Sequence, residues 1–415
     1  MKPILRTSLC VLAAVTVPFA AGQYGSMQAH AFLFSTAPQT QVPAVAPPVL
    51  NPALPTVVVA LGADVSEVAD VLVPFQVFAA SGKFNVVTAA PKRRPVALTG
   101  GLDLLPHFSF AELDQALSKP PALVVIPNIP FIRKPENAPV LSWLKQQSQH
   151  PETLLLSICS GADTLALTGA LDGKKATGHW SELDALADRF PEVQWIDNQR
   201  YLDEGQTITA AGVLSGLDAS LHVLERLSGT SIMEKTARKL DFARSPFLKD
   251  PTMDPLKINA SDSIFLLNAS YLWDRPAYQL PLQNNMDEMD LAAVVDTYPA
   301  TFSATLTTTA PGPVKTRYGL DLLPRASSST LPILKLSGAG FPFDVALKQL
   351  AEDQNVPTAV FGAKRLEYRS GPETFGGAGW WIPAIQRPLM LAILGIVLVL
   401  LLEQLFLRRS PKVRL

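Results

Sequence analysis

Cysteine is nearly absent from this chain: its 415 residues include two, Cys10 and Cys159, too few for a disulfide framework. Charge of one sign is missing as well. Lys plus Arg number 35 against 36 Asp plus Glu, a formal net charge of −1, and no dense basic stripe precedes the last eight residues, which excludes nucleic acid as a partner. Histidine is sparse too. The five residues are scattered without metal-ligand spacing, so neither a metal nor any other cofactor is expected.

Long apolar runs are confined to the two ends. Lys2 and Arg6 precede the stretch from Leu9 to Ala21, followed by small residues and Ala29-His30-Ala31. That order is the sequence form of a secretory signal, cleaved after Gly22 or Ala31, with an uncleaved anchor as the alternative for residues 1–31. Cys10 lies at the start of the run, which makes it a poor acylation site. At the other end, Pro388 to Leu402 is unbroken apolar sequence that resumes at Leu405 after Glu403 and Gln404. Trp380 and Trp381 stand before it, and Arg408, Arg409, Lys412 and Arg414 follow. The pattern predicts a transmembrane helix within 379–407 and a basic cytoplasmic tail over 408–415. The expected location is a cell membrane, single-pass, with the bulk extracytoplasmic and the lipid bilayer as a partner. Residues 32–55 are rich in proline (Pro38, Pro43, Pro47, Pro48, Pro52, Pro55) and predict an extended linker.

From Thr56 the chain alternates short β-rich runs with helical patterns. Strands are expected at Thr56 to Leu61, Phe84 to Ala89, Leu123 to Ile126 and Thr153 to Ile158, and helices at Val65 to Ser81 and Pro139 to Gln149. Apolar strands separated by helices predict an α/β, doubly wound parallel sheet, with ligands at the carboxyl ends of the strands. The last of these strands runs into Cys159-Ser160-Gly161-Ala162, a small-residue turn opening onto a helical pattern from Ala162 to Leu171. This is the form of a nucleophile elbow. The backbone N–H groups of such a helix start can lower a thiol pKa. The alternative reading of Cys159 is a small buried hydrophobe.

Ile158-Cys159-Ser160-Gly161-Ala162, the run from Gly169 to Trp180, Arg189-Phe190-Pro191-Glu192-Val193 and the run from Ile208 to Asp218 together resemble the ThiJ/PfpI superfamily. This superfamily has the class I glutamine amidotransferase-like, flavodoxin-like fold. The branch resembled is the one shared by isocyanide hydratases and the sensor domains of AraC-type regulators, over about Thr56 to Ala243, giving a domain at 56–245. The resemblance implies that Cys159 is the nucleophile and that Asp70 faces its sulfur. A carboxyl beside a thiolate cannot comfortably stay ionised, so the two are expected to share a proton. His179 occupies a position where some members carry a catalytic histidine, and is otherwise a packed neighbour of Trp180. His222 reads as structural. Where the family has Pro-Gly-Gly after the fourth strand, this chain has Pro127-Asn128-Ile129-Pro130. The oxyanion and binding candidates are therefore Ser160, Gly161 and Asn128.

An internal echo fills much of residues 246–378. Asp290 to Tyr298, Thr308 to Pro311 and Gly319 to Pro324 repeat Asp70 to Phe78, Thr88 to Pro91 and Gly101 to Pro106. Leu331 to Leu336, Val345 to Ala351 and Thr358 to Phe361 then continue strand, helix, strand, with Phe361-Gly362-Ala363-Lys364 where the first copy has its cysteine. The reading is a degenerate second α/β copy that supplies an intramolecular pseudo-dimer contact; the alternative is an unrelated α+β domain. Two functions remain open. One is a membrane-anchored cysteine enzyme acting on a small electrophile, hydratase- or glyoxalase-like. The other is a non-catalytic module that senses a small-molecule ligand or thiol oxidation.

Overall fold

The computed structural model describes residues 3–36, 45–242, 245–335, 339–368, 375–379 and 382–409. One helix, α1 (Pro3–Leu33), takes up the N-terminal apolar stretch and continues past it, without a break at Gly22 or Ala31. Most of the expected linker's middle, 37–44, lies outside the described residues, as do Trp380, Trp381, Lys412 and Arg414.

The first strand, β1 (Thr56–Ala60), leads through a short strand at Val65–Ser66 into α2 (Val68–Ser81). The expected helix started at Val65. It starts at Val68 because the Glu67 carboxylate caps it, accepting the Asp70 N–H at 2.7 Å. There follow β2 (Asn85–Ala90), β3 (Val96–Leu98), β4 (Leu102–Leu105), β5 (Phe108–Ser109), β6 (Leu123–Ile126), α3 (Ala138–Gln147), β7 (Leu154–Ile158), α4 (Gly161–Leu167), β8 (Tyr201–Glu204), β9 (Thr207–Ala210) and α5 (Val213–Ser228). The seven-stranded sheet has the order β8-β9-β7-β6-β1-β2-β5. It is parallel except for the β8/β9 hairpin.

Alternation along the strands divides the core in two. Val57, Val59, Val125 and Leu156 face α2 and α5, and Val58, Ala60, Val124 and Leu155 face α3 and α4. Helices on both faces explain why the strands read as continuous apolar runs. The strand order reverses between β1 and β6, so their carboxyl ends flank a crevice.

Beyond residue 245 come α6 (Ser263–Tyr271), β10 (Ala277–Pro281), α7 (Glu288–Thr297), β11 (Thr305–Thr309), β12 (Val314–Lys315), β13 (Asp321–Leu323), α8 (Pro342–Asp353), α9 (Val356–Arg365) and α10 (Ile382–Arg409). β10 and β11 are parallel and joined through α7. A second sheet, β12-β13-β4-β3 and Val65–Ser66, joins the two regions; in it β13 runs antiparallel to β4 with Leu322 opposite Leu104. The expected strand at Thr358 to Phe361 is instead the middle of α9. Asn355 caps that helix on the Thr358 N–H at 2.8 Å and Pro357 sits in its first turn, a start signal that outweighs the β-branched residues around it. The stretch expected as a strand at Leu331 to Leu336 contributes one bridge, Ile333 to Gln279, among the described residues.

By length and composition α1 and residues Ile385–Leu405 of α10 are able to cross a membrane, with mean hydropathies of 1.8 and 2.4. The two helices pack antiparallel: Arg6 to Val15 lie beside Ile396 and Leu400, and a Cβ on Gly395 would stand 2.6 Å from the Ala13 carbonyl. Further along, α1 leaves α10 and packs on α6. A Cβ on Gly25 would meet the Ser270 carbonyl at 2.1 Å, so glycine there is what permits the approach. The end of α1 is fastened by the Gly100 N–H on the Leu33 carbonyl (2.9 Å) and by Arg325, which bridges Ser35 and Asp103. Gly25→Leu is expected to separate α1 from α6 and lower the thermal unfolding midpoint of the full chain in nanodiscs, whereas Leu12→Ala, on an exposed face of the same helix, leaves it in place.

Candidate active site

Cys159 follows β7 directly and holds φ at +59°, the left-handed conformation that a non-glycine residue adopts only where its surroundings enforce it. Its N–H donates to the Ala210 carbonyl at 3.0 Å, and its own carbonyl accepts the Ala162 N–H at 3.3 Å. Gly161 completes the turn because nothing larger fits: a Cβ there would stand 2.2 Å from the Ile126 carbonyl. The elbow expected from the sequence is thus present. Its helix is shorter than expected and ends at Leu167 rather than Leu171.

Asp70 comes to the same place from the first turn of α2. It is 1% exposed. Its Oδ2 accepts the Asn128 backbone N–H at 3.0 Å, while Oδ1 is buried without a hydrogen-bond partner. Burial, with the Glu67 charge behind it, pushes the Asp70 carboxyl well above the usual carboxylate range. Burial also pushes the Cys159 thiol up, and the Asp70 charge adds to it. This corrects the expectation of a thiol pKa lowered by the helix start. A buried acceptor with no partner beside a thiol is where a shared proton would sit.

The other expected residues fall around this pair. Ser160 is the N-cap of α4, its Oγ 4.0 Å from the sulfur. The Asn128 backbone N–H is taken by Asp70, so an oxyanion has the Asn128 side-chain amide and the N–H groups at the start of α4 to turn to. The left-handed residue that glycine would have supplied falls later, at Phe131, with φ of +60°, while Ile129 is buried in the core. His179 borders the cavity, its Nδ1 2.7 Å from Ser181 Oγ and its ring against Trp180. Burial, helped by the Arg365 charge, drops its pKa to about 3. A neutral imidazole can accept a proton only weakly, which leaves His179 as a wall and hydrogen-bonding residue more than a base. His222 pairs with Asp203 at 2.7 Å, away from the cavity.

Three site residues escaped the sequence analysis. Glu67 is 3% exposed, and Asp296, from α7, is 1% exposed. Arg365, at the end of α9, reaches Asp296 at 2.9 Å and Glu67 at 3.8 Å. Burial pulls the Arg365 pKa down, and Asp296 and Glu67 more than offset it, so the guanidinium stays charged. Its charge opposes the upward push on both Asp70 and Cys159. The Asp296 position was visible as the echo of Gln76, but its approach to Glu67 across 229 residues left no local signal.

Above the thiol lies a cavity of about 610 Å³. Glu67, Asn128, Cys159, Ser160 and Arg365 line it together with apolar groups from α1, α6 and α9. His30, one of the scattered histidines, stands in its wall with its ring 4.7 Å from that of Phe302.

Residues 55–226 match the model of the DJ-1/PfpI family. The isonitrile hydratase of Pseudomonas putida is 26% identical over 180 residues, 43% of this chain and 74% of the hydratase. The HTH-type transcriptional regulator CdhR of Pseudomonas aeruginosa is 27% identical over 105 residues, 25% of this chain and 31% of the regulator, so the chain spans less than a third of that relative. The solved structure of Drosophila melanogaster DJ-1beta is 22% identical with a TM-score of 0.41, covering 45% of this chain and 97% of that one.

The charges make opposite predictions for two variants. Asp70→Asn removes a negative neighbour and is expected to move the pH profile of Cys159 alkylation by iodoacetamide to lower pH. Arg365→Met removes the positive one and is expected to move it to higher pH. Profiles that coincide with wild type in both variants would mean that neither group governs the thiol.

Proposed function

We propose that the protein is a membrane-anchored cysteine enzyme that adds the Cys159 sulfur to a small electrophilic carbon, a reading supported by the match of residues 55–226 to the DJ-1/PfpI family model. The observation that carries this reading is the unpartnered, buried Asp70 Oδ1 in electrostatic contact with a thiol held in a strained elbow. For an aldehyde, the step forms an S–C bond, breaks the carbonyl π bond, and sends the thiol proton through the Asp70 carboxyl to the carbonyl oxygen. The product is a hemithioacetal and no oxidant is needed. For an isonitrile, the same addition at the terminal carbon would open a hydration, the reaction in the name of the Pseudomonas putida relative.

A second reading is favoured by the raised thiol pKa and by the capture of the Asn128 N–H by Asp70. With few free donors for an oxyanion, the same pocket would bind or sense a ligand without turnover, as a regulator-like module. Residues 246–378 are inferred to hold a degenerate second copy that docks on the first. In support, α7 lies between parallel strands β10 and β11 as α2 lies between β1 and β2, and Leu104 pairs with Leu322, its counterpart in the repeat. A residue facing its own equivalent is the signature of a two-fold contact.

The anchor is inferred to be a hairpin of α1 and α10, with both ends of the chain on the cytoplasmic side, where Lys2, Arg6 and the basic C-terminus belong. Retention of α1 follows from its packing on α6 and its fastening at Leu33 and Ser35. The intact mass of protein purified from membranes is therefore expected to include residues 1–31. Turnover decides between the two functional readings. Consumption of short aliphatic aldehydes or isonitriles by the full chain in nanodiscs, reduced at least a hundredfold in Cys159→Ser, is the expected result. Tight binding with no consumption would leave the sensing module.

A further inference from the structure

The cavity above Cys159 is lined mostly by apolar groups: Leu33 and Phe34 at the end of α1, Phe265 of α6, Phe302 and Phe361. Glu67, Asn128, Cys159 and Arg365 stand together in one part of the lining, and Glu182, Asn259 and Asp262 also border it. Trp180 closes one side with Lys364 Nζ over its ring at 4.8 Å. At the rim, Ile258 and Leu266 are 75% and 64% exposed, although two large apolar side chains gain nothing from facing water. The apolar wall is continuous with the anchor. The helix that is long and apolar enough to cross a bilayer ends in this wall, and its last turns, which carry Gln23, Ser26, Gln28 and His30, lie on α6.

We propose that the cavity takes a lipophilic amphiphile from the bilayer: a single alkyl chain lodged between α1, α6 and Phe302, with a compact electrophilic head, such as an aldehyde, at Cys159. This rests on the nucleophile reading above and narrows its substrate class from any small electrophile to one bearing a chain. The volume of about 610 Å³ lies within the range that encloses a ligand of drug size, and a purely polar substrate would leave most of the wall dry and unused. Each further methylene that enters is expected to tighten binding about fourfold relative to water. On this account α1 is both anchor and wall, which gives its retention a function.

The test uses the full chain in nanodiscs with a dodecanol that carries a diazirine near the end of its chain. After photolysis, peptide mass spectrometry is expected to find adducts on the segments containing Phe34, Phe265 and Phe302. Unlabelled dodecanol should remove them at least tenfold more effectively than butanol at matched free aqueous concentration. Adducts confined to the bilayer-facing residues of α10, such as Leu389 and Leu398, or equal competition by both alcohols, would overturn the proposal. Alkylation of Cys159 by iodoacetamide is read in parallel. Cavity adducts with an inert thiol would uphold the ligand class while removing the nucleophile reading. A reactive thiol without cavity adducts would do the reverse.

Discussion

Three buried carboxyl groups and a thiol sit around the Arg365 guanidinium, which lies 2.9 Å from Asp296 and 3.8 Å from Glu67. Removing one partner from such a buried group leaves an uncompensated charge, which typically costs about 3–5 kcal/mol. The pairing therefore constrains more than electrostatics. Glu67 caps α2 and so fixes Asp70, which lies on the same helix turn. Asp296 and Arg365 come from the far region of the chain and can meet Glu67 only when that region is docked. The site is complete only with both regions in contact.

The same docking explains the second sheet. β13 adds to β4, burying Leu104 and Leu322 and placing Arg325 on Asp103. Arg325 also holds Ser35, so the residue that joins the two regions clamps the end of α1 as well. His107 adds a further tie, its Nε2 donating to the Gly319 carbonyl at 3.1 Å while its Nδ1 accepts the Thr88 N–H. The end of α1, the interface and the site thus share a small set of residues.

Strain and an unpaired group meet near Cys159. Its left-handed backbone and the orphan Oδ1 of Asp70 are the departures from ordinary satisfaction that chemistry would use. A second such cluster surrounds Arg200, whose Nη2 lacks a partner, and Glu367, whose pKa burial pushes up to about 7. There Arg200 Nε donates to Asp218 at 2.7 Å and Nη1 to the Glu367 carbonyl at 2.8 Å, and the cluster ties the start of β8 to the chain after α9.

The sequence by itself determined the local features. The parallel sheet was legible because buried parallel strands are continuously apolar, and the elbow because a strand running into Cys-Ser-Gly-Ala leaves few other geometries. Asp70 and Cys159 were legible through the resemblance. A helix at α7 was legible because Asp290 to Tyr298 resembles Asp70 to Phe78 in sequence, while at α9 Val, Thr and Phe suggest a strand and the Asn355 cap with Pro357 decides for a helix. What only the tertiary structure decided is everything that depends on distant segments meeting. This includes the direction of the thiol pKa, which depends on burial and on charges that no local pattern encodes. It includes the arrival of Arg365 and Asp296 from the other region, and the use of the N-terminal helix as a wall, because a helix apolar enough to be a signal carries no mark in its composition of the surface it will pack against.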